Sequence, residues 1–213
     1  MSTASTSPKL NAPSATPLRS NDSGMSAILG GTITVWFLTV AVAAQRGWIA
    51  QLYMPWIAAI VAATIAIPTL AYFASPRLQR YVESIGHRRI ALFHAWRVPA
   101  ALLFFWYGVQ GQLPPAFWSI AGLGDLIAGV YGLYASLQPE TRKTYLTFHL
   151  FGFADFVSAV GIGLTYTLLS DPRMQPVAQL PLAWIPLFGV GLSGASHLMA
   201  FDMLRRNVGF SSK

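Results

Sequence analysis

The chain has no cysteine in its 213 residues. Disulfides, thiolate metal sites and cysteine nucleophiles are therefore excluded, and nothing follows about the redox compartment. Charge is scarce too. Asp, Glu, Lys and Arg make up 10% of the sequence, against roughly 25% in an ordinary soluble domain. Acid is the scarcer sign, with 7 Asp and Glu against 14 Lys and Arg. A water-soluble fold of this composition would expose large apolar patches. The N-terminus lacks the apolar core of a secretory signal peptide.

What fills the chain instead is apolar sequence, 54% of it, in long runs rather than amphipathic stripes, with a mean hydropathy of +0.50. Long runs are the mark of membrane spans. Six of them are each near the roughly 20 residues that a bilayer requires. They cover about 26–44, 53–74, 91–110, 115–137, 145–170 and 181–203. The predicted fold is all-α, a polytopic membrane helical bundle of six transmembrane helices over residues 25–206. Residues 1–24, rich in Ser, Thr, Ala and Pro, are expected to be a disordered tail, and 207–213 a C-terminal tail. Lys9 and Arg19, with no acid before Asp22, leave a short organellar transit peptide as the alternative to a cytoplasmic tail.

Between the second and third spans, Leu78, Tyr81, Val82 and Ile85 follow helical apolar spacing with arginines opposite. A short amphipathic helix over about 77–86 is expected to lie on the membrane surface. Arg77, Arg80, Arg88 and Arg89 would there meet anionic lipid headgroups. The Lys and Arg of the N-tail, the second and fourth loops and the C-tail outnumber the two on the other side, Arg46 and Arg173. Both termini are therefore expected in the cytoplasm, or in the equivalent compartment of an organelle. Because topology accounts for the basic balance, nucleic acid is not an expected partner.

A weak repeat runs through the chain. Gln112-Leu113-Pro114-Pro115-Ala116-Phe117-Trp118 is similar to Gln179-Leu180-Pro181-Leu182-Ala183-Trp184-Ile185, and Phe93-His94 to Phe148-His149. Three tandem helical hairpins are one explanation; the collection of Trp and Pro at membrane interfaces is the other. Small residues at Gly124, Ala128 and Gly132 and at Gly191 and Ala195 offer close-packing faces, and a homo-oligomer stays open. Gly189-Val190-Gly191-Leu192-Ser193-Gly194 matches G-x-G-x-x-G but lies mid-span after no strand, so it is read as helix packing.

The informative residues are the ionisable ones inside spans, which are costly there unless partnered or hydrated. His94 and Arg97 sit one turn apart at the start of the third span. From a rise of about 1.5 Å per residue, His149 and His197 fall at a similar depth, and Asp125 and Asp155 near the midplane. Asp202 is expected to be solvated near the surface. Tyr107 and Gln110 are expected to line the outer half of the third span. Pro68, Pro99 and Pro186 should kink their spans and free the carbonyls of Thr64, Ala95 and Leu182.

Three uses of this cluster stay open. Arg97, Asp125 and Asp155 with the histidines can form a pathway for a small solute or for protons. They can equally form a network that only fixes helix register. Or His94 and His149 can ligate a b-type haem, or His94, His149 and His197 a divalent metal. That last use lacks specific spacing, since there is no His-x-x-x-His or Glu-x-x-His pair, and no cofactor is expected. Small-solute or proton-linked transport is the leading reading and a structural or accessory scaffold the second. No constellation marks an enzyme, and the chain is not expected to be one.

Three stretches carry a resemblance: Pro115 to Gly132 with Ala121-Gly122-Leu123-Gly124-Asp125, His149-Leu150-Phe151-Gly152-Phe153-Ala154-Asp155-Phe156, and Ile185-Pro186-Leu187-Phe188 with His197-Leu198. From about residue 90 to 205 the chain resembles a group of small, uncharacterised multi-pass membrane proteins common in bacteria. The resemblance implies a protein of the bacterial inner membrane and carries over no activity. It places Asp125 and Asp155 beside Arg97 in rank.

Overall fold

The computed structural model describes residues 20–211. Most of the predicted N-terminal tail, residues 1–19, and the last two residues of the C-terminal tail lie outside the described residues. Among those described there is no strand, and six helices are long and apolar enough to cross a membrane. The molecule is an all-α bundle and a multi-pass membrane protein.

The helices are α1 (Ser20–Gln45), α2 (Trp56–Ala74), α3 (Pro76–Phe93), α4 (Arg97–Val109), α5 (Pro115–Leu137), α6 (Arg142–Leu168) and α7 (Val190–Arg206). α1 begins at Ser20, so the chain is already helical over the last residues of the predicted tail. α3 and α4 together make the third span. α7 is the most enclosed helix, packed between α2 and α6, and α5 packs between α4 and α6. α1 is the least enclosed and rests on the segment Ile185–Gly189 through Trp36 and Phe37. α2 packs more extensively on α7 than on α1, so the first predicted hairpin is the loosest pair.

Two interruptions of regular helix matter for the site. Pro99 cannot donate a backbone hydrogen bond, and the turn before it tightens to a 3-10 turn over His94–Trp96. There the Arg97 N–H donates to the His94 and Ala95 carbonyls, so Ala95 is not the free acceptor that the sequence suggested. Pro186 lies in a wide turn over Ile185–Gly189, and the Leu182 carbonyl accepts from Ile185.

α3 breaks at Gly86, whose φ of 78° and ψ of 161° are outside the helical range. The first piece is amphipathic, as its spacing predicts. Its apolar face packs partly on protein: Leu78, Val82 and Ile85 pack with Tyr72, Ile90 and Met203. Leu78, Val82, Ile85 and Ile90 also wall an apolar groove of about 700 Å³ between α1, α2, α3 and α7, with Arg89 among its lining residues.

The break leaves the His87 N–H without its helical acceptor, and the Gly209 carbonyl takes it at 3.0 Å. A Cβ on residue 86 would stand 3.1 Å from that carbonyl. Gly86→Ala should therefore cost about 1–2 kcal/mol from the positive φ alone. It should also loosen residues 207–211. Denaturant unfolding in detergent and hydrogen exchange at His87 check both effects; an unchanged midpoint with unchanged exchange would contradict this account of the bend.

Candidate functional site

Arg97 opens α4, is 2% exposed, and projects between α5 and α6. Its Nε donates to Asp125 Oδ1 at 2.6 Å and its Nη2 to Asp155 Oδ2. A weaker bond runs from Nη1 to the Gly152 carbonyl at 3.4 Å. The planar guanidinium suits this, because its donors diverge in one fixed fork. Asp125 is buried as well, and Asp155 is half-buried with its side chain only 7% exposed. Room for Asp155 comes from Gly124, where any Cβ would overlap its carboxylate. Two carboxylates face one guanidinium, so at ordinary charges the group carries one negative charge in excess.

Behind Arg97, towards the end of the bundle where α7 finishes, the three predicted histidines meet. His94, His149 and His197 are all fully buried, on the 3-10 turn, α6 and α7. His149 Nδ1 and His197 Nδ1 lie 2.8 Å apart, so one donates and the other accepts. The His94 ring stacks on that of His197 with centroids 4.2 Å apart. Gly152 lets His197 approach α6: a Cβ there would fall 2.8 Å from His197 Nε2 and 3.4 Å from Arg97 Nη1. The structure thus brings all six predicted residues into one contiguous cluster.

The partners of that cluster were not legible in the sequence. Ser196 Oγ donates to the Ser193 carbonyl, which leaves its oxygen to accept from His94 Nε2 at 3.0 Å. That assigns the His94 proton to Nε2 and a bare lone pair to Nδ1. Trp96 Nε1 completes the patch by donating to Ser193 Oγ. The buried nitrogens His94 Nδ1, His149 Nε2, His197 Nε2 and His87 Nδ1 have no protein partner. His87 extends the row, its ring 6.5 Å from that of His149. Serine at i and i+3 on a span beside a histidine was the available signal.

The row ends under the C-terminal residues. His87 Nε2 donates to the Val208 carbonyl at 3.0 Å, and Phe210 packs on the His87 ring. Glu140, in the loop between α5 and α6, accepts from Ser211 N and Oγ and from Arg88 Nε. Burial raises its carboxyl pKa, but the Ser211 and Arg88 bonds outweigh it and hold the pKa below the ordinary carboxylate range.

On the opposite side of Arg97 is an apolar cavity of about 80 Å³, reaching from Arg97 and Asp125 to Met174 and Val177 of the loop after α6. Asp155 is not in its wall. Gln110 is exposed, bonds back to the Trp106 carbonyl and is not among the residues of the cavity wall. Asp202 is also displaced from expectation. It is buried, accepting from Tyr72, Arg205 and Arg206, because α2 and α3 cover that face of α7.

A family described as a domain of unknown function, DUF8737, matches residues 54–205. The chain belongs to this family. The DUF8737 region contains the whole His/Arg/Asp cluster and leaves α1 outside. No curated protein and no solved structure matches the chain.

Removing one partner of a buried ion pair costs about 3–5 kcal/mol. Arg97→Met strands two carboxylates and should cost that much in micellar unfolding. Asp125→Asn leaves a balanced Arg97–Asp155 pair and should cost only about 1 kcal/mol. Equal losses in the two variants would contradict the excess charge. At the C-terminal strap, the lowered Glu140 pKa means that its stabilisation is complete above the ordinary carboxylate pKa. It is lost as pH falls through the lower, folded value. The protection factors of residues 207–211 against hydrogen exchange should fall in acid in the wild type and be low already at neutral pH in Glu140→Gln.

Proposed function

We propose that this DUF8737 protein moves protons, coupled to a small solute, through the His/Arg/Asp cluster. The observation that carries this reading is the row from His87 through His149 and His197 to the Arg97–carboxylate group, ending at the wall of a cavity on the far side. A proton arriving at His149 Nε2 allows the Nδ1 proton to pass to His197 Nδ1, and His197 Nε2–H then releases one towards Arg97 and Asp155. Each ring gains one proton and gives one up. A water between His87 Nδ1 and His149 Nε2, both unpartnered, would join the row to the strap at its end.

Two other readings weigh less. A metal cage needs lone pairs converging at about 2 Å on one ion. The three histidines bring donor atoms within 4.8 Å of one another, but stacked His94 and His197 rings aim their nitrogens side by side. A purely structural network is favoured by the bonds that all three Arg97 side-chain nitrogens make. It does not account for four unpartnered buried ring nitrogens, each of which costs stability.

The distribution of Lys and Arg supports both termini on the cytoplasmic side, and the family resemblance supports a bacterial inner membrane. Arg77, Arg80, Arg88 and Arg89 would then meet anionic headgroups, with acyl chains in the groove beside Arg89.

Reconstitution into vesicles with a trapped pH dye tests the reading. Proton flux should appear with the wild type and fall at least tenfold in His149→Phe and His197→Phe, with folding retained. Vesicles that stay as tight as protein-free ones would leave only the structural network.

A further inference from the structure

The cavity and the charge count together say what the solute is. We infer that the cavity beside Asp125 binds a small organic monocation, which competes with one proton for the excess negative charge of the Arg97–Asp125–Asp155 group. The inference deepens the transport reading and rests on it.

Size comes first. A water needs about 10–15 Å³ of such space, so a cavity of about 80 Å³ takes roughly five to eight non-hydrogen atoms. The wall comes second. Phe104, Phe117 and Phe156 with Met54 and Met174 surround the space. Aromatic faces attract cations and thioethers are polarisable. An alkylated ammonium has the matching surface, an apolar shell over a positive centre.

Charge decides the sign. Arg97 and Asp125 are the two charged residues in the wall. Behind them stand Asp155 on α6, then His197, His149 and His94, with His87 at the end of the row. α2, which closes the other wall, brings no ionisable group but Tyr72. With neutral histidines the network is negative by one charge. An anion would add to that charge, whereas a monocation brings it to zero, as one proton does. Where a proton already neutralises the group, binding one monocation displaces that proton, which can leave by His197 and His149. The charge balances without any further ion.

The test uses the purified full-length chain with ethyltrimethylammonium, a permanently charged cation of this size, and pivalate as the anionic control. In weakly buffered solution, calorimetry and a pH electrode should show about one proton released per cation bound. Affinity should fall by up to about tenfold per pH unit on acidification where the proton competes. Asp125→Asn should lose binding at least tenfold. Ala121→Leu, which narrows the cavity and leaves the charges in place, should lose it too, so a folding defect in one variant does not leave the question open. Binding of pivalate instead, equal cation binding in Asp125→Asn, or binding without proton release overturns the inference. If vesicles carry proton flux while no cation binds, the proton pathway stands and this site does not. If cation binds with proton release and no flux is seen, the site stands and the transport reading falls.

Discussion

Arg97 between Asp125 and Asp155 is the contact on which the rest of this bundle depends. A guanidinium cannot shed its proton at accessible pH, so in a low-dielectric interior it must be met by anions or not be there. Its two anions come from two different helices, which fixes α4, α5 and α6 relative to one another. The close approach this requires explains the small residues around it. Gly124 makes space for Asp155, and Gly152 for the His197 ring. Gly132, on the same face of α5 as Gly124, lies against Ala91 and His94. Lipid supplies no hydrophobic drive for helix association, so packing of this kind and polar contacts carry it.

The arrangement has two unlike sides. On one, histidines stand within reach of each other and of a surface strap; on the other, aromatic and methionine side chains enclose an apolar space. The ion group forms a polar part of the wall between them. Under the proposed function, such a division would keep a proton route and a solute space separate while letting both act on the same charges.

Much of the fold was legible early because bilayer thickness sets span length and the apolar runs report it directly. The six cluster residues were legible too, since an ionisable group inside a span is conspicuous and its depth follows from helix rise. Direction around the helix axis was less so. Gln110 turned outward, Asp202 turned out buried, and the apolar face of α3 packs in part on Tyr72 and Met203. Each depends on which neighbour covers a face, and single-sequence periodicity does not say that.

The sequence by itself determined the medium, the helix count, the residues too polar for their depth and the glycine and proline positions. These are properties of one segment against a bilayer, and local hydropathy and backbone chemistry contain them. Only the tertiary structure decided that Arg97 takes both aspartates, that Ser196 sets the His94 tautomer and that His87 joins the row beneath the C-terminal strap. It also decided that a cavity opens beside Asp125 and not Asp155. These are relations between segments far apart in the chain, fixed by helix rotation and close packing, and so they exist only once the bundle has assembled.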